Sequence, residues 1–240
     1  MRTSPDKIAE PDRQLLALLA ALGASDKALL PTDVAARLAR LLSISDAAAL
    51  DAAARRPLSG PFHLDPALPD LLREDLLRTR EGVLAPLARS LAGDAENSPI
   101  IAPRPPEGLA ADQRPPFRPW EAFYLAWQRR IAAAIGDLRR RVRQALVTGS
   151  PALARMAHLD AALEQSLGGY SQRGFNTVPL LLEKAYRARW QARDPDDDTG
   201  AWLTAFHHTL QACLLAEMDA RLAPVLGMLD ALDSKDMNTP

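Results

Sequence analysis

The sequence predicts an all-α protein: an N-terminal cluster of short helices, a Pro-rich connector, and a C-terminal bundle of long antiparallel helices. Three observations carry this. The chain of 240 residues is rich in Ala, Leu and Arg and only 5% aromatic, a composition that favours helix over strand. In residues 120–147, WEAFYLAWQRRIAAAIGDLRRRVRQALV, apolar residues recur three or four apart from Trp120 to Leu146, as on one face of a helix. Between residues 93 and 118 prolines crowd so closely that neither a regular helix nor a central strand can form.

These features divide the chain into residues 1–92, a linker at 93–118, and a bundle at 119–240. Residues 1–11 read as a loose end. The runs DRQLLALLAAL, PTDVAARLARLL and SISDAAALDAAARR then read as three short helices, the third capped by Ser45 or Asp46. A DNA-reading helix-turn-helix is the weaker reading of this cluster, because the third run offers Ala where base-reading side chains would stand. Pro57, Gly60 and Pro69 frame a loop. A longer helix follows from about Pro69 to Leu91, with Gly82 and Pro86 weakening or bending it.

The connector reads as an extended, polyproline-like spacer or a strap across the protein's own surface. Its PRPPEG and RPPFRP segments also suit an aromatic groove on another protein. The 120–147 helix, about 40 Å long at roughly 1.5 Å per residue, stops at Thr148 and Gly149. Gly149 suits a left-handed helix end, and Ser150 and Pro151 suit the start of the next helix. That helix, PALARMAHLDAALEQSLGGY, is expected to loosen or end at Gly168-Gly169 and then at Gly174-Phe175-Asn176. VPLLLEKAYRARWQAR restarts near Thr177 or Val178. The last helix begins near Thr199, with a bend at Pro224 and a frayed tail.

Composition excludes more functions than it suggests. The formal net charge is −1, so no whole-chain basic field draws nucleic acid or an anionic membrane. The strongest apolar run, Leu15 to Leu22, is far short of the ~20 residues that span a bilayer, and MRTSPDKIAEPDRQ lacks the plan of a secretory signal. A single cysteine, Cys213, fits a reducing compartment and burial as a small hydrophobe. The expectation is a soluble, cytoplasmic protein without membrane insertion. No catalytic, cofactor or metal residues are predicted. His207 and His208 diverge on a helix by about 100°. The loop DPDDD puts Thr199 and Ala205 where a calcium loop needs Gly and Glu.

Two surfaces remain as candidates. Arg129, Arg130, Arg139, Arg140, Arg141 and Arg143 could bind phosphates, or could be a solvated face neutralised by Glu164, Glu183 or neighbours. Trp120, Phe123, Tyr124 and Trp127, with Trp202 on the last helix, carry more aromatic area than one antiparallel helix covers. This predicts self-association or a protein partner. Glu217 and Arg221 fall on the apolar stripe of the last helix. An internal ion pair there is weighed against a stripe that rolls toward Met218 and Leu222.

The segments LAWQRRIAAAIGDLRRRVRQAL, SPALARMAHLDAALEQSL, VPLLLEKAYRARW and LLAEMDARLAPVLGMLDAL, in that order, resemble a family of bacterial proteins known only as a domain of unknown function. The resemblance covers nearly the whole chain and brings no catalytic residue. It implies a soluble companion of an envelope complex, beside channel-like and outer-membrane-protein-A-like neighbours. The function expected is that of a non-enzymatic helical adaptor or assembly component. The alternative is a nucleic-acid or polyanion binder acting through the Arg-rich face, although nucleic acid is disfavoured by the charge balance.

Overall fold

The fold was analysed in a computed structural model, which describes Ala17 and residues 43–94, 98, 100–106, 112–194 and 200–234. Six α-helices follow in order: α1 (Ile44–Arg55), α2 (Leu68–Ala92), α3 (Arg118–Val147), α4 (Pro151–Asn176), α5 (Val178–Gln191) and α6 (Ala201–Leu232). No strand occurs among the described residues. The helices expected within residues 12–42 lie outside them, Ala17 aside.

Ser43 caps α1, two residues before the expected Ser45. Its hydroxyl accepts from Asp46 N at 3.1 Å, while the Asp46 carboxylate accepts from Ser43 N at 2.9 Å. Such a reciprocal box satisfies two orphan backbone donors at once, which a lone cap at Ser45 would not. The helix is well capped yet buries none of its residues.

The long helices serve two compact units. One unit contains Glu81–Ala133 and Asn176–Ala220; the other contains Ala134–Phe175, Arg221–Pro240 and, of the described N-terminal part, residues 43–80. The boundaries at residues 92 and 119 are therefore not those of the units. Each unit takes residues from both sides of the connector, because α2, α3 and α6 are long enough to contribute to both.

In the first unit the core is aromatic: Trp120, Tyr124, Trp127, Tyr186 and Phe206 are all at most 2% exposed. Trp120 meets His207 while Gln128 reaches Glu217, so α3 and α6 run parallel here. Tyr186 meets Phe206 while Trp190 meets Trp202, so α5 and α6 are antiparallel. The connector is fastened to this unit at its described residues. Ser90 Oγ and Ser98 Oγ both donate to Ile100 O, Ala102 N donates to Ser90 O, and Tyr186 Oη donates to Pro115 O. It is a strap rather than a free spacer at these points.

In the second unit α3 and α4 are antiparallel, since Arg139 reaches Glu164 and Arg143 reaches Asp160. Leu138, Val142, Leu146, Leu153 and Val225 are fully buried. The turn between α3 and α4 differs from its predicted form. Among the described residues positive φ is confined to Gly93 (78°) and Gly200 (67°), so Gly149 is not left-handed. It sits in a close approach instead: a Cβ there would lie 3.0 Å from Leu153 Cδ1 and 3.2 Å from Leu64 Cδ1, so those side-chain ends would have to shift slightly. Ser150 does cap α4, its hydroxyl accepting from Leu153 N at 3.2 Å.

The other predicted interruptions fall as follows. The helix α4 continues through Gly168 and Gly169 and ends at Asn176, within the expected Gly174-Phe175-Asn176. Glycine costs about 1 kcal/mol against alanine inside a helix but does not end one. Pro86 lies inside α2 and Pro224 inside α6. The last helix starts at Ala201, close to the expected Thr199, after Gly200 has turned the chain with its positive φ.

Candidate interaction surfaces

The aromatic start of α3 is not a surface. Trp120, Phe123, Tyr124 and Trp127 are 2%, 3%, 0% and 0% exposed. Trp120 packs edge-on against Phe206 at 5.8 Å and lies over His207 at 4.5 Å. The indole N–H of Trp127 donates to Ser90 Oγ of α2 at 3.2 Å. Phe117, just before α3, stacks on Tyr186 of α5 at 5.5 Å. The prediction of excess aromatic area assumed a single antiparallel partner. Here α2 and α6 pack directly against the start of α3, and α5 holds the residue that precedes it. Of the five aromatic candidates only Trp202 stays partly exposed, with its ring 5.3 Å from Tyr186 and 5.1 Å from Trp190.

Beneath those rings lies a polar centre. Glu217 is fully buried and accepts hydrogen bonds from Tyr124 Oη at 2.8 Å and Gln128 Nε2 at 2.9 Å. Met218 and Leu222 are buried as the rolling stripe predicts, but Glu217 is buried with them. A carboxylate can be kept in such a core only if donors surround it. Nearby, burial and then the charge of Glu217 push the Cys213 thiol up to about 12. It is therefore held as a thiol and is a poor nucleophile. Burial, followed by the charge of His208, lowers His207 from its ordinary value; its Nε2 is buried and has no hydrogen-bond partner among the described residues.

The six arginines separate into two groups. Arg139 forks onto Asp160 with contacts of 2.9 and 2.7 Å, and Arg143 reaches both Asp160 and Glu164. Arg140 pairs with Asp137 within α3. Arg141 grips Asp75 of α2 at 2.7 and 3.0 Å, a contact that raises its own pKa. Arg129 and Arg130 are exposed, and Arg130 lies 5.6 Å over the Trp127 ring. Glu164 is a counter-charge as expected; Glu183 instead pairs with Arg187 on its own helix. Asp160 was legible only as the i−4 neighbour of Glu164, a spacing that mirrors Arg139 and Arg143 on the facing helix.

Open apolar surface lies elsewhere. The last buried residue of α4 is Asp160; beyond it Leu163 is 37% and Tyr170 40% exposed, and Arg173 stacks over the Tyr170 ring at 4.5 Å. A Cβ added at Gly168, Gly169 or Gly174 would meet nothing within 4 Å. Among the described residues no group of three or more His, Cys, Asp or Glu side chains is placed to hold a metal ion. Asp196 to Asp198 of the rejected calcium loop lie outside them. No described helix is long and apolar enough to cross a membrane.

Packed long helices, a buried polar centre and a neutralised arginine face define an all-α helical-bundle protein. The chain belongs to the family described as protein of unknown function (DUF3348), which it matches over residues 1–234. No curated protein and no solved structure matches it.

Proposed function

We propose that the protein is a non-enzymatic helical adaptor or assembly component of a bacterial protein complex, acting in the cytoplasm as a companion of an envelope complex. The observation that carries this reading is the second half of α4. Its helix continues for four turns past its last buried residue and presents Leu163 and Tyr170 to solvent. A helix interior holding three glycines, none of them required for space, is weak by its own propensity there. Such a face suits a partner helix, which can approach closely over glycine and cover the apolar pair.

The test is a pull-down with the full chain and with a Leu163→Ser/Tyr170→Ser variant, at moderate and at high salt. A neighbour-encoded protein should be held by the wild type at both salts and lost by the variant, whose circular dichroism stays helical. Equal capture by both chains would overturn this assignment.

The second reading, polyanion binding through the Arg-rich face of residues 120–147, is narrowed by the ion pairs to Arg129 and Arg130, which are exposed. Binding of a single-stranded oligonucleotide that falls steeply with salt, and disappears in Arg129→Ala/Arg130→Ala, would favour it over the adaptor.

A further inference from the structure

The connector contains the tripeptide Arg-Pro-Pro twice, at residues 104–106 and 114–116. The second copy is seated at its middle residue, while Arg114 and Pro116 stay exposed. Pro115 is buried, and its carbonyl accepts a 3.2 Å hydrogen bond from Tyr186 Oη. Phe117, two residues later, packs on the same Tyr186 ring. Aromatic grooves hold extended proline-rich chains in this manner: flat rings take the pyrrolidines, and ring-borne donors take the carbonyls, which an extended polyproline chain leaves unbonded. The first copy is not seated. Arg104, Pro105 and Pro106 are all exposed, although Ala102 beside them is tied to Ser90.

The aromatic face does not end at Tyr186. It continues through Trp202 to Trp190, ring against ring at 5.3 and 5.1 Å. Both indoles are partly exposed. Arg193 covers one face of Trp190 at 3.3 Å, and among the described residues neither indole N–H has an acceptor. An indole N–H is donor-only, so it offers a proline carbonyl what Tyr186 Oη already gives to Pro115.

We propose that residues 104–106 of one molecule dock on the Trp190–Trp202 pair of a second copy, and the reverse, so that two chains close into a two-fold pair. This rests on the reading of the protein as an assembly component. It adds a self-recognition surface distinct from the α4 face. The occupant is a second copy because the chain exposes the same tripeptide that it seats on the adjoining ring. A single tripeptide binds weakly; the two reciprocal contacts of a closed pair act together and compensate for that.

The test uses the full chain. Sedimentation velocity over a concentration series should show a reversible dimer. Pro105→Ala/Pro106→Ala, at two exposed positions outside any helix, should raise the dimer dissociation constant at least tenfold. A synthetic peptide of residues 102–108, APRPPEG, added to that variant should shift the indole N–H resonances of Trp190 and Trp202 and leave those of Trp120 and Trp127 in place. A wild type that stays monomeric, a dimer unaffected by the double substitution, or a peptide that moves neither indole would each overturn the proposal. A peptide that binds a chain remaining monomeric would overturn the second copy as occupant. None of these results touches capture through Leu163 and Tyr170, so the two readings fail separately.

Discussion

The two halves of α3 are stabilised in opposite ways. Up to Ala133 the buried face of the helix is mainly aromatic, and it holds the carboxylate of Glu217 through Tyr124 and Gln128. From Ala134 onward the apolar stripe is aliphatic, and the opposite side is a lattice of ion pairs with α4 and α2. One continuous helix thus meets a ring-filled core in one unit and a charged seam in the other. The first depends on shape and area, which salt barely affects. The second depends on charge, whose worth falls with exposure and ionic strength.

Substitutions should expose this difference in order of size. Trp127→Ala removes a fully buried ring and leaves Ser90 without its indole donor. It should destabilise the protein by about 3–5 kcal/mol, read as a lower urea midpoint that added salt does not restore. Asp160→Ala takes the shared carboxylate from two arginines whose side chains are only 16% and 15% exposed. The loss should be about 2–3 kcal/mol, and Asp160→Asn should recover part of it by keeping the shape and one acceptor. If Asp160→Ala proves silent in urea unfolding, the seam is ornamental.

A third effect concerns pH. Burial holds the His207 imidazole below its ordinary 6.5, with His208 adding to the shift. The unfolded chain therefore binds a proton first as pH falls. Stability is complete above 6.5, declines below it, and levels off once the lowered folded value is passed. Melting temperatures of wild type and His207→Gln should run in parallel from about pH 8 to 6.5 and converge or cross only below. Smallest of all should be Asp137→Ala, whose partner Arg140 is 62% exposed. A change beyond about 0.5 kcal/mol there would show that the surface pairs of α3 act as a network.

The sequence by itself determined the helices and where most of them lie, because helical periodicity and proline are local signals: a stripe recurs every three or four residues whatever packs on it. It marked the connector as extended, offered Glu164 and Glu183 as counter-charges to the arginines, of which Glu164 serves, and placed Glu217 on the apolar stripe. The glycines misled it. At Gly149 a Cβ would crowd Leu64, distant in sequence, where a left-handed turn was expected, and at Gly168 and Gly169 the helix runs on. Only the tertiary structure decided which broad face is covered and which remains open. The aromatic start of α3 carries the strongest apolar signal in the chain and is enclosed by three helices. The modest pair Leu163 and Tyr170 stays exposed. Burial is a property of what arrives from elsewhere in the chain, and a one-dimensional pattern records only how much apolar surface is on offer.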